Sequence, residues 1–137
     1  KRGLGSPSKG KKNIALRKFR RKSRLMKEKF DFGMEIDPSQ ASEYLSAHSE
    51  CVLLDVREPD EHAYSRIDES LHIPLAKLSQ RLDSLDANRP ILVYCHHGIR
   101  SLAAVRLLKA KGFPKTSSII GGIERWAIEI DPSLPRY

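Results

Sequence analysis

A small, mainly parallel β-sheet flanked by helices on both faces, in short an α/β domain, is the fold class this sequence predicts. Two observations carry it. Short apolar runs alternate with stretches of helical period from Met34 onward. The clearest run, Ile91-Leu92-Val93-Tyr94, is apolar at successive positions, as a strand buried on both faces must be, and the clearest helix comes within a few residues of its end.

Taken in order, the domain begins at Met34 to Ile36. Asp37-Pro38 reads as a helix start, with the carboxylate at the N-cap and proline at the first helical position, leading into Ala41, Tyr44 and Leu45. Val52-Leu53-Leu54-Asp55-Val56 reads as a buried strand, and Leu71-His72-Ile73 as a short one before Pro74. Leu75, Leu78, Leu82 and Leu85 recur at spacings of 3, 4 and 3, which predicts one face of a single helix, closed by Asn88-Arg89-Pro90. After the strand at 91–94, a helix is expected from Ser101 through Lys111, with Ala104, Val105 and Leu108 on one side. Ser118-Ile119-Ile120 predicts another strand, Gly121-Gly122 a turn, and Ile123 to Ile130 a last helix carrying Trp126.

The length of 137 residues, 39% of them hydrophobic, suits one domain with one core. The net charge of +8 is unevenly placed: residues 1–33 hold 13 Lys or Arg against Glu28 and Asp31, a net of +11, and the remainder holds 12 bases against 15 acids, a net of −3. The chain therefore divides into a basic arm, 1–33, and a mildly acidic domain, 34–137. Gly3, Gly5, Ser6, Pro7, Ser8 and Gly10 predict disorder at the start of the arm, and Asn13 to Phe30 allow a basic, weakly amphipathic helix, either standing or formed only on binding. Organelle targeting, contact with RNA or an acidic surface, and a solvated tail or non-native sequence compete for this arm. A start at Lys1 instead of Met agrees with a processed product or a piece of something longer.

Cys51 and Cys95 are too few for a disulfide scaffold, and no Cys/His spacing suggests zinc, so a reducing, cytoplasmic setting without a metal is expected, or an organelle if the arm is a targeting remnant. No apolar run approaches the roughly 20 residues of a transmembrane helix.

Cys95-His96-His97-Gly98-Ile99-Arg100 separates the strongest strand from the strongest helix. A thiol there meets backbone N–H groups without intrahelical partners and the positive end of the helix dipole, both of which favour negative charge at sulfur. Gly98 permits the tight turn that lets successive N–H groups converge in an anion nest, and Arg100 adds a cation. The plain alternative is a small buried residue ending a strand, the usual place of a free cysteine. For His96 and His97, neighbours expected to diverge in direction, shaping of the loop and its field outweighs metal binding or acid/base work.

These residues resemble the rhodanese family of sulfurtransferases from about Met34 to Tyr137. Leu54-Asp55-Val56-Arg57-Glu58 with Glu61, Leu71-His72-Ile73-Pro74-Leu75, the six residues Cys95 to Arg100, and Gly121-Gly122-Ile123 with Trp126 are similar to its successive motifs, though Glu69-Ser70 replaces the usual Gly-Ala pair. Asp131-Pro132 and Pro135-Arg136-Tyr137 resemble the end of rhodanese domains fused to ubiquitin-like-protein-activating enzymes. The resemblance implies a Cys95 persulfide formed from a donor such as thiosulfate and passed to a thiol, cyanide or a protein acceptor, with no cofactor beyond that covalent intermediate. His96, His97, Gly98, Ile99, Arg100 and Ser101 would form the substrate and persulfide loop, Arg100 attracting an anionic donor. Asp55 and Arg57 would support it as a buried pair. Phosphatases and arsenate reductases of similar fold place five residues between Cys and Arg, and here there are four, a narrower ring that suits sulfur better than a tetrahedral oxyanion. A non-catalytic rhodanese module is the rival from another class, and retention of Cys95, Gly98 and Arg100 argues against it.

Overall fold

The computed structural model describes residues 30–137. A five-stranded sheet forms its centre, with strands β1 (Glu35–Ile36), β2 (Val52–Asp55), β3 (Leu71–His72), β4 (Ile91–Tyr94) and β5 (Thr116–Ile119) in the order β1-β5-β4-β2-β3. Every pairing is parallel. The helices are α1 (Pro38–Ala47), α2 (Pro59–Tyr64), α3 (Leu75–Leu78), α4 (Ile99–Ala110) and α5 (Gly122–Glu129), with a 3-10 turn at Leu82–Ser84. None of these is long and apolar enough to cross a membrane.

Alternation along β2 and β4 divides the core in two. Leu53, Leu92 and Tyr94 pack with Ala41, Tyr44 and Leu45 of α1 and Ile123 and Trp126 of α5. Leu54, Ile91 and Val93 face the other way, onto Leu78 of α3 and Ala104, Val105 and Leu108 of α4. Helices thus cover both faces, as the apolar runs predict. Each fully buried Leu or Ile contributes about 1.5–3 kcal/mol relative to exposure, so the central strand alone is a major anchor.

Local chemistry explains the starts of the helices. Asp37 accepts from the Ser39 N–H at 2.9 Å with Pro38 in the first turn of α1. Glu58 and Glu61 form a capping box around the N-terminus of α2, where Pro59 occupies the first turn. Neither β1 nor α2 is predicted as an element by the apolar pattern, because both are short and α2 buries no residue fully.

The expected helix carrying Leu75, Leu78, Leu82 and Leu85 is instead the single turn α3 and then the 3-10 turn. The amides of Gln80, Arg81, Ser84 and Leu85 all bond to carbonyls three residues back, at 3.0–3.2 Å. All four leucines still reach the same core face, so their spacing records burial and not helix type. The last strand also starts at Thr116, two residues before the expected Ser118, and α4 starts at Ile99 instead of Ser101.

At the other end of the chain, Phe30 and Phe32, which the charge count places in the arm, pack on the core. Their rings lie 4.7 and 5.7 Å from the ring of Tyr44, and Lys109 Nζ donates to the Phe32 carbonyl at 2.7 Å. The predicted disorder of the first residues and most of the predicted basic helix lie outside the described residues.

Candidate active site

β4 occupies the middle of the sheet, between β2 and β5, and its apolar residues carry the chain directly to Cys95. The loop then turns through Gly98, at φ +106°, into α4. This brings two backbone donors onto one atom: the Gly98 N–H reaches Cys95 Sγ at 3.1 Å and the Ser101 N–H at 3.3 Å. The Ser101 hydroxyl lies 3.4 Å from the same sulfur. Donors held by the backbone need no reorganisation to receive negative charge, which is the physical content of an anion nest.

The start of α5 buttresses this loop from outside. Ile123 N–H donates to the Cys95 carbonyl at 2.9 Å and Glu124 N–H to that of His96 at 3.2 Å. Two loop carbonyls are thereby turned away from the sulfur and its amides left to face it. Gly122, at φ +58°, makes the approach possible, since a Cβ there would lie 2.4 Å from each of those two carbonyl oxygens.

The remaining loop residues are dispersed. Ile99 stands 81% exposed at the lip. Arg100 is committed to Glu61 through two bonds of 2.6 and 3.0 Å, so its charge is already paired by a carboxylate on α2. That pairing holds the Glu61 carboxyl down to about 2, with further help from the Glu58 N–H and the Tyr137 hydroxyl against the cost of burial. His96 and His97 do not diverge as expected: their rings are in contact, with centroids 3.9 Å apart. Burial, and then the neighbouring His97, push the His96 pKa below its ordinary value.

Asp55 and Arg57, both fully buried, lie at the end of β2 and do not contact the sulfur. The Arg57 guanidinium donates to both Asp55 oxygens at 2.9 and 2.7 Å, and the carboxylate also receives Tyr94 Oη–H at 3.0 Å and meets His62 Nδ1 at 2.8 Å. Burial opposes the charge on Asp55, but hydrogen bonds from Arg57 and His62 outweigh it and hold the carboxyl below its usual range. Arg57 also donates to the carbonyls of Ser65 and Glu61 and to the Tyr137 hydroxyl, and so ties α2 and the C-terminal segment to the sheet.

Two participants escape the motifs. Tyr137 stacks on His96 with centroids 3.9 Å apart, and its hydroxyl donates to Glu61 at 2.8 Å while accepting from Arg57. Nothing in its own neighbourhood signals this, only the likeness of the Pro-Arg-Tyr ending to one branch of a family. Ser118, which bonds Ser101, does leave a signal: Thr116, Ser117 and Ser118 form a polar run in a strand that the structure buries completely.

A thiol delivered by a central parallel strand into converging amides at a helix N-terminus defines a class: α/β proteins that hold a cysteine in an anion-stabilising loop. Within that class the chain belongs to the rhodanese-like domain family, whose model matches residues 37–129. It is 40% identical over 75 residues to thiosulfate sulfurtransferase GlpE of Coxiella burnetii, covering 55% of this chain and 70% of that one. It is 33% identical to adenylyltransferase and sulfurtransferase MOCS3 of Arabidopsis thaliana, across 74% of this chain but 25% of that longer protein. The crystal structure of a rhodanese-related protein from Thermoplasma volcanium superposes with a TM-score of 0.65 at 32% identity, covering 72% of this chain and 94% of that one. The activity supported by these relatives is sulfur transfer of the rhodanese type.

Proposed function

We propose that Cys95 carries the sulfur as a persulfide, taken from an anionic sulfane donor such as thiosulfate and passed to a thiol or cyanide. The convergence of the Gly98 and Ser101 amides on Cys95 Sγ is the observation that carries this reading. The Cys95 thiolate attacks the outer sulfur of thiosulfate, a new S–S bond forms, and sulfite leaves with the electron pair of the bond that breaks. The thiophile then attacks the outer sulfur of the persulfide, and Cys95 departs as the thiolate it was. No net redox change occurs, and no metal or organic cofactor is required.

The nest stabilises the sulfur anion between the two half-reactions. Arg100, already paired, tunes the field of the loop in this reading instead of serving as a free anchor for the donor. Asp55 and Arg57 act only by holding α2 and Tyr137 in place. Two buried cysteines outside any disulfide suit a reducing compartment, so the proposed location is the cytoplasm, or an organelle if residues 1–33 are a targeting remnant.

Thiocyanate release from thiosulfate and cyanide tests the reaction, with intact-mass measurement of the protein after the donor alone. The parent is expected to gain one sulfur atom and to turn over. Cys95→Ser should do neither, whereas Cys51→Ser should do both. Equal turnover by Cys95→Ser, or failure of the parent to gain sulfur from thiosulfate or an organic persulfide, overturns the reading.

A further inference from the structure

We infer that Ser118, a residue of β5 outside the active loop, is a positioning residue for Cys95 that acts through the Ser101 hydroxyl. This rests on the reading of Cys95 as the sulfur-carrying nucleophile. The register of the sheet sets Ser118 beside Val93, two residues before Cys95, and its side chain is wholly buried under the start of α4. Its Oγ lies 2.7 Å from Ser101 Oγ, and Ser101 Oγ lies 3.4 Å from Cys95 Sγ. Two hydroxyls therefore run in file from the sheet to the sulfur.

The direction of that file depends on the state of the sulfur. A thiolate can only accept, so with Cys95 ionised the Ser101 hydroxyl donates to Sγ and its lone pair is left to accept from Ser118. With Cys95 protonated, the file can run the other way, S–H to Ser101 and Ser101 to Ser118. Ser118 decides the balance. As a donor to Ser101 it aims the Ser101 proton at the sulfur and polarises it, which adds a third donor to the two amides at the atom where the attacking charge resides. Removing the Ser118 hydroxyl leaves Ser101 free to rotate and weakens that donor without touching the loop backbone.

Other charged and titratable groups lie in the loop and on the elements packed around it, whereas the Ser118 hydroxyl meets Ser101. Arg100 of α4 is paired with Glu61 of α2, His96 and His97 lie in the loop, and Glu124 at the start of α5 is bonded by Arg136. Asp55, Arg57 and Tyr94 form their own cluster at the ends of β2 and β4.

The test compares Ser118→Thr with Ser118→Val, which add the same bulk and differ only in the hydroxyl. The rate of Cys95 alkylation by iodoacetamide is measured against pH in a Cys51→Ser background, together with kcat and KM for thiosulfate. The valine variant is expected to be alkylated about threefold more slowly near neutral pH, with kcat reduced at unchanged KM. The threonine variant should stay close to the parent. In a Ser101→Ala background the two variants should coincide, because the hydroxyl through which Ser118 acts is gone. Coincidence of the two variants with Ser101 present, or an undiminished difference without it, overturns the proposal. Alkylation needs no sulfur donor, so a protein that shows the Ser118 effect but transfers no sulfur would sink the transfer reading alone.

Discussion

Gly122 shows how much of the site depends on one missing Cβ. Its φ of +58° is a conformation other residues adopt at a cost of about 1 kcal/mol or more. The larger effect is steric. An added Cβ would stand 2.4 Å from the carbonyl oxygens of Cys95 and His96, and those are backbone atoms that cannot swing aside as a flexible side chain does. Gly122→Ala must therefore push α5 off the loop and break the bonds from Ile123 and Glu124 that aim those carbonyls away from the sulfur. The expected outcome is a folded protein destabilised by about 2–3 kcal/mol, with sulfur transfer reduced at least tenfold. Denaturant unfolding and the thiosulfate assay check it together, and a variant that loses stability but keeps full turnover would show that the contact serves the fold only.

At the scale of elements, α2 matters more than its six residues suggest. It buries nothing fully, yet it supplies Glu61, which caps its own N-terminus and pairs with Arg100 of α4. Glu61 is held at about 2 in the folded protein against an ordinary value near 4.5, chiefly by Arg100. A depressed carboxylate contributes stability above its unfolded pKa, and that contribution is lost as pH falls through the folded value. The window is therefore about pH 4.5 down to about 2. Glu61→Gln should lower stability at neutral pH by about 1–3 kcal/mol and flatten the acid decline across that window, as thermal melts at a series of pH values would record. The same variant frees the Arg100 cation, so KM for dianionic thiosulfate should fall while that for an uncharged organic persulfide donor stays constant. The sequence motif sets Glu61 beside Asp55 and Arg57 but leaves Arg100 to the donor, since a sequence shows that a cation comes after the cysteine and not which carboxylate reaches it first. The core strands and α4, with their continuous apolar runs, are legible in the sequence; β1, α2 and the turns after Pro74 are not, because each is shorter than the stretch of pattern that would reveal it.

Across the whole molecule, charge and packing place the limit of the domain differently. Charge divides the chain at Gly33, leaving a net of −3 on residues 34–137. Packing carries the contacts of the domain back to Phe30, because Phe30 and Phe32 sit against Tyr44, Ser117 Oγ donates to the Gly33 carbonyl at 2.7 Å, and Lys109 holds that of Phe32. Two deletions separate these boundaries. Removing residues 1–29 takes away 13 of the 25 Lys and Arg residues and should leave both the melting temperature and thiosulfate turnover as they were. Removing residues 1–33 also strips the two aromatic rings from Tyr44, and the melting temperature should fall by several degrees, as expected for about 1–3 kcal/mol of lost aromatic packing in a domain of this size. If the arm contacts a polyanion such as RNA, binding by the full chain should weaken steeply with salt and be absent from both truncated forms, since it would rest on phosphate neutralisation and not on the acidic domain. Equal melting temperatures for the two truncations would return the boundary to Gly33, where the charge alone puts it.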